Sequence, residues 1–220
     1  VLVEARGALV QGIFGIGGET GGRLAVGVTG PEAVLTPEGL RPEHRDAIVV
    51  GGALVDAACF PRARELGVRA LVTGGIHDQD LRALLGFDLG VAITGTEEVG
   101  FTLIVTEGFG RIAMAQRTFD LLGRHAGRWA SCSGATQIRA GVIRPEIIIP
   151  LDGPAAEPAE RPRHETGLAV GDPIRLIRAP YFGALASVVA LPPELQAIET
   201  ESRVRVLVAK LPDGRHVTVP

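Results

Sequence analysis

Cysteine is scarce: Cys59 and Cys132 are the only two in 220 residues, too few for a disulfide framework, and no CxxC pair suggests zinc or redox exchange. Aromatic residues make up 4% of the chain, with one Trp and one Tyr, so there is little material for stacking surfaces. Neither sign of charge dominates. The 22 Lys and Arg against 25 Asp and Glu give a formal net charge of −3, which removes the long-range positive field of a protein that grips nucleic acid mainly by its phosphates. Local basic patches remain compatible with it. No uncharged apolar run reaches the roughly 18 residues a membrane helix needs, and neither end resembles a signal peptide. The expectation is a soluble, cytoplasmic protein without membrane partners. The chain starts at Val1 without an initiator Met and stops at Pro220 just after an apparent strand, which leaves open, as an expectation, that it is cut from a longer protein.

What is abundant is apolar: 46% of the residues, enough for one or two cores. Gly (30) and Pro (15) are scattered without a strict period, which excludes a collagen-like chain and implies many tight turns.

Four regions follow from patterning. Residues 1–43 place short apolar stretches between Gly17-Gly18, Gly21-Gly22 and Pro31 and read as a small β-rich segment that leans on its neighbours. Residues 44–150 alternate strand-length apolar runs (Ala47–Val50, Ala70–Thr73, Leu89–Thr94, Phe101–Thr106 and Val142–Ile149) with helical patterns, the mark of an α/β domain with a mainly parallel sheet. Helices are expected over Val55–Leu66, despite Pro61, over a segment capped by Asp78 and stopped by Gly86, and over Arg111–Leu122, where Ile112, Ala115, Phe119 and Leu122 form one stripe. Residues 151–170 read as a linker rich in Pro, Gly and charge. Residues 171–220 hold strand patterns at Pro173–Ile177, Leu185–Leu191, Val204–Lys210 and His216–Val219, the last two joined by an Asp213-Gly214 hairpin turn.

In the central region an apolar strand repeatedly ends in Thr with Gly close behind: Thr73-Gly74-Gly75, Thr94-Gly95 and Thr106-Glu107-Gly108. If the strands are parallel, these exits share one rim, where open α/β sheets place ligands, and helices opening near Gly74–Asp78 and Gly108–Ile112 would offer amides to an anion. His77 and Glu107 are the weak candidates for a proton carrier on that rim. The structural account, with Gly for turns and Thr as an ordinary strand residue, is the favoured one. No GxGxxG or GxxxxGK[ST] motif supports a nucleotide enzyme, no His spacing fixes a metal, and no cofactor is implied. Cys132, within Ser131-Cys132-Ser133, reads as an inert thiol rather than a nucleophile. Arg139 and Arg144 read as pairing with nearby acids such as Glu146.

The run Gly171–Val189, with Gly171-Asp172 before a strand and Pro180, Phe182 and Gly183 at the turn before the next, resembles the KOW motif of SH3-like β barrels. That resemblance implies a C-terminal barrel of the kind found in RNA-binding, ribosome-associated and transcription-elongation modules, many of which contact protein instead. Residues Arg161–Pro220 carry 8 basic and 6 acidic side chains. Arg175, Arg178, Arg203, Arg205 and Arg215 are the candidates for a basic patch, with Tyr181 and Phe182 as candidates for stacking. Alternation puts Val204, Val206 and Val208 on one strand face and Arg203 and Arg205 on the other. The leading expectation is therefore a non-catalytic binding or scaffold protein whose barrel contacts RNA or a protein. The alternatives are a small-anion-binding domain or enzyme using the Thr-Gly rim, and a structural subunit that associates with copies of itself.

Overall fold

The computed structural model describes residues 6–86, 99–136, 143–151, 168–176, 180–181, 184–197 and 203–220. Two compact units emerge, Val1–Ala156 and Glu157–Pro220. The architecture is multidomain α/β, with β-sheet regions towards both ends and a mixed α/β centre.

In the first unit the elements run β1 (Gly7–Gln11), β2 (Phe14–Ile16), β3 (Glu19–Val26), β4 (Val34–Leu35), β5 (Ala47–Val50), β6 (Leu54–Val55), α1 (Cys59–Leu66), β7 (Ala70–Ile76), α2 (Asp78–Leu85), β8 (Thr102–Phe109), α3 (Gln116–Arg124), β9 (Trp129–Ser133) and β10 (Glu146–Pro150). Residues 1–43, set apart above, contribute strands to the same sheet as the centre: β3 pairs with β5 and β2 with β8. The sheet is mixed rather than mainly parallel. Parallel ladders join β3, β5, β7 and β8, and β4, β6 and β7, while β1, β10, β9 and β3 pair antiparallel in that order. The reason is that β9 and β10 come back beside the N-terminal strands and pair with them and with each other antiparallel. Gly12 and Ile13 connect β1 to β2, their amides donating to Pro145 O and Val105 O. The ladder thus returns on itself at this bend.

Alternation divides the apolar side chains between two cores. One gathers Leu24, Ile48, Val72, Ile104 and Ile147 beneath Met114 and Leu122 of the α3 region. The other packs Val49, Leu71, Leu103 and Val105 against Phe60, Ala63 and Leu81 of α1 and α2. Strands β5 and β7 are buried on both faces, which explains their continuous apolar sequence.

Helix α2 matches its expected span, with Gly86 taking the left-handed C-cap at φ +78°. His77, not Asp78, holds the N-cap position, and Asp78 instead pairs with Arg82 at 2.8 Å. Helix α1 begins late enough to place Pro61 in its first turn, where an amide has no intrahelical acceptor in any case. Helix α3 starts at Gln116 rather than Arg111, because Gly110–Ala115 is extended across β7 (below). The expected strand Leu89–Thr94 and most of the 151–170 linker lie outside the described residues.

The second unit holds β11 (Pro173–Arg175), β12 (Leu185–Ala190), β13 (Gln196–Ala197), β14 (Arg203–Val204), β15 (Leu207–Lys210) and β16 (His216–Val219). Strands β11, β12, β15 and β16 form a four-stranded antiparallel sheet, and β13 pairs with β14. The Asp213-Gly214 turn closes the β15–β16 hairpin, with Leu211 N donating to Arg215 O at 2.8 Å. Arg205 and Val206 interrupt the expected continuous strand, and its phase changes there. Leu207, Ala209 and Leu211 face the small core with Ala186 and Val217, so Val208 does not continue the inward face of Val206.

Candidate functional site

Two of the three Thr-Gly exits lie among the described residues, and these are brought together and filled. Thr73 and Thr106 are adjacent and buried, with Thr73 Oγ1 donating to Gly75 O at 3.0 Å and Thr106 Oγ1 to Thr73 O at 3.3 Å. Strand β7 does not stop at Thr73. Gly74 and Gly75 extend it, their amides donating to Gly52 O and Ala53 O as Gly51–Ala53 carries the pairing from β5 to β6. The following crossing, Gly110–Ala115, lies directly on these glycines. A Cβ on Gly74 would collide with Ile112 O, and one on Gly75 with Gly110 O. Glycine is needed for close backbone approach at this point.

Amides of the crossing are engaged too: Gly110 N donates to Ile76 O, Ile112 N to Ala53 O and Met114 N to Pro31 O. Gly108 is buried in β8, and Thr94 lies outside the described residues. Glu107 is buried at 6% exposure. Its Oε1 accepts the Ala115 amide at 3.0 Å and shares the one Thr106 hydroxyl hydrogen with Thr73 O, each at 3.3 Å, which fastens the N-cap residue of α3 to β8. His77 is exposed at the start of α2 and makes no side-chain cap bond.

Neither thiol is poised for nucleophilic work. Burial pushes Cys59 and Cys132 up to about 12, and Cys59 Sγ donates to Leu35 O at 3.2 Å. His44 is buried in a short 3-10 turn, its Nδ1 accepting the Arg41 amide at 3.3 Å. Burial, reinforced by the Arg41 charge, holds its pKa below the ordinary range. Among the described residues no group of three His, Cys, Asp or Glu side chains is placed to hold a metal, and no described helix is long and apolar enough to cross a membrane.

The C-terminal unit presents a different surface. Pro173, Ser187, Lys210 and His216 form one register row across β11, β12, β15 and β16, and Arg175 stands opposite Leu185 one level along. Since Ile174, Ala186, Ala209 and Val217 turn to the core, Arg175, Lys210 and His216 share the opposite face. These four strands contain no Asp or Glu. Arg203 and Arg205 are also exposed, whereas Arg215 is tied to Asp213 at 2.7 Å. Tyr181 packs half-buried against the small core, so its ring is committed to packing. Arg178, Phe182 and Gly183 lie outside the described residues, as does Arg139.

Lys210 and His216 escaped the sequence analysis. The signal was available: counting outward by twos from the hairpin turn buries Leu211 and Val217 and exposes these two.

No family model, curated protein or solved structure matches the chain.

Proposed function

We propose that the chain is a non-catalytic binding protein whose C-terminal unit is a KOW-like, SH3-type β module that docks single-stranded RNA through its outer sheet face. The observation carrying this reading is that Arg175, Lys210 and His216 stand on one face of four strands that themselves contain no Asp or Glu, with Arg203 and Arg205 exposed on the same unit. Cations on strands track a phosphate backbone without reading sequence. The Gly171-Asp172 pair supports the KOW likeness. Gly171 adopts φ +95°, Gly171 N donates to Val188 O, and Asp172 Oδ2 accepts the Ala169 amide at 2.8 Å. The non-catalytic half of the reading draws on the described part of the rim, where the Thr73 and Thr106 hydroxyls and the Gly74, Gly75 and Gly110 amides bond to the chain itself.

Fluorescence anisotropy of labelled oligouridylate with the full chain tests the proposal. Replacing Arg203, Arg205 and Lys210 together with Ala is expected to weaken binding at least about tenfold, a loss near 1.4 kcal/mol. Equal affinity in the triple variant would refute the assignment, and RNA-independent capture of a defined protein by this face would favour the protein-docking alternative.

A further inference from the structure

At the antiparallel end of the first sheet, one face is left uncovered by the described residues. Ala130, Cys132 and Ile147 point into the core, so Trp129, Ser131, Ser133 and Ile148 face outward beside Glu19, Gly21 and Arg23 of β3. Trp129, the single tryptophan, is 59% exposed. The Cζ2–Cε2–Nε1 edge of its indole reaches over Gly21: a Cβ there would stand 3.0 Å from Cζ2 and 3.3 Å from both Cε2 and Nε1. The missing side chain at Gly21 gives the indole edge room against the sheet, while more than half of the tryptophan stays open to solvent.

Beside this plate is an open concavity of about 450 Å³ lined by Glu19, Gly21, Ser131, Ser133, Glu146 and Ile148. Glu19, Ser133 and Glu146 occupy one register level across β3, β9 and β10, so two carboxyl groups flank a hydroxyl, their backbones about 10 Å apart. Along β9 the distance from Trp129 to Ser133 is about 13 Å, longer than one sugar ring.

We propose that this face binds a neutral oligosaccharide, stacking one ring on Trp129 and hydrogen-bonding the hydroxyls of the next through Glu19, Ser133 and Glu146. The charges select the ligand class. Glu19 and Glu146 repel a phosphate or an acidic chain, and Arg23, the register partner of Trp129, repels a cation from the plate. A purely apolar partner would strip water from the carboxyl and hydroxyl groups without replacing it. A pyranose meets all these conditions, with a C–H face for the indole and edge hydroxyls for the acceptors.

Because Trp129 is the only tryptophan, its emission reads the site directly in the full chain. Titration with cello-, chito- and malto-oligosaccharides is expected to give a saturable blue shift with at least one of them. Calorimetry with that sugar should show a loss of roughly tenfold or more in Trp129→Ala, the order of one lost aromatic contact, a smaller loss in Trp129→Phe and a several-fold loss in Glu19→Gln with Glu146→Gln. Unchanged far-UV circular dichroism would confirm that these exposed substitutions leave the fold intact. Silence of emission and heat with all three sugar series up to millimolar concentration, or undiminished binding by Trp129→Ala, would overturn the proposal. The Lys210→Ala variant should bind sugar normally, which separates this face from the RNA reading.

Discussion

Replacing Glu107 with Ala distinguishes a fastener from a proton carrier. The substitution removes the acceptor of the Ala115 amide, in a crowded crossing where Ile112 and Gly110 press on β7, and leaves the Thr106 hydroxyl of β8 to Thr73 O alone. Losing such an acceptor at a buried site costs about 1–3 kcal/mol. For a unit of this size that is a fall in Tm of roughly 2 to 12 °C, at about 2–4 °C per kcal/mol. Thermal and urea melts of the full chain, followed by far-UV circular dichroism, measure it. Glu107→Gln keeps an oxygen in place and should lose less than Glu107→Ala. An Ala variant as stable as the parent, or a Gln variant equally damaged, would refute the idea that this oxygen holds the start of α3.

Other consequences are quickly checked. Gly75→Ala forces a methyl into Gly110 O and should destabilise by about 1–3 kcal/mol or more, whereas Gly18→Ala, with nothing within 4 Å, should stay within about 0.5 kcal/mol; paired denaturation curves decide. His44, held neutral by burial, contributes stability that is fully present above its unfolded pKa of about 6.5 and is lost as pH falls through its lower folded value. His44→Gln should therefore flatten the pH–stability profile in that acid window, and an unchanged profile would contradict the assignment. Both thiols, buried and pushed up to about 12, should resist a disulfide reagent in the native state and react after unfolding; rapid native labelling would show that one is accessible.

The sequence made the local elements readable wherever one segment specifies its own geometry. Ala47–Val50 is apolar on both faces and forms a doubly covered strand; Asp78–Leu85 has its stripe and its Gly stop; Asp213-Gly214 turns a hairpin. It misled where a distant backbone decides. Gly74 and Gly75 have the local look of a turn, but a second strand segment and the Gly110–Ala115 crossing both need them flat. Ile112 carries a helical spacing with Ala115 and Phe119 yet is pinned in that crossing, which delays α3. The likeness between Val204, Val206 and Val208 hid a break at Arg205-Val206 that shifts the strand's phase. Nor do Glu19, Gly21, Trp129 and Glu146, spread over more than half the chain, give any local sign that they share a face.

The most direct measurement for the binding function is the salt dependence of RNA affinity. With Arg203, Arg205 and Lys210 each neutralising a phosphate, log K for oligouridylate should fall against log salt with a slope of about −2, at about 0.7 per contact on a single strand. A measurable affinity that salt leaves unchanged, or no affinity at low salt, would contradict an RNA-docking C-terminal face.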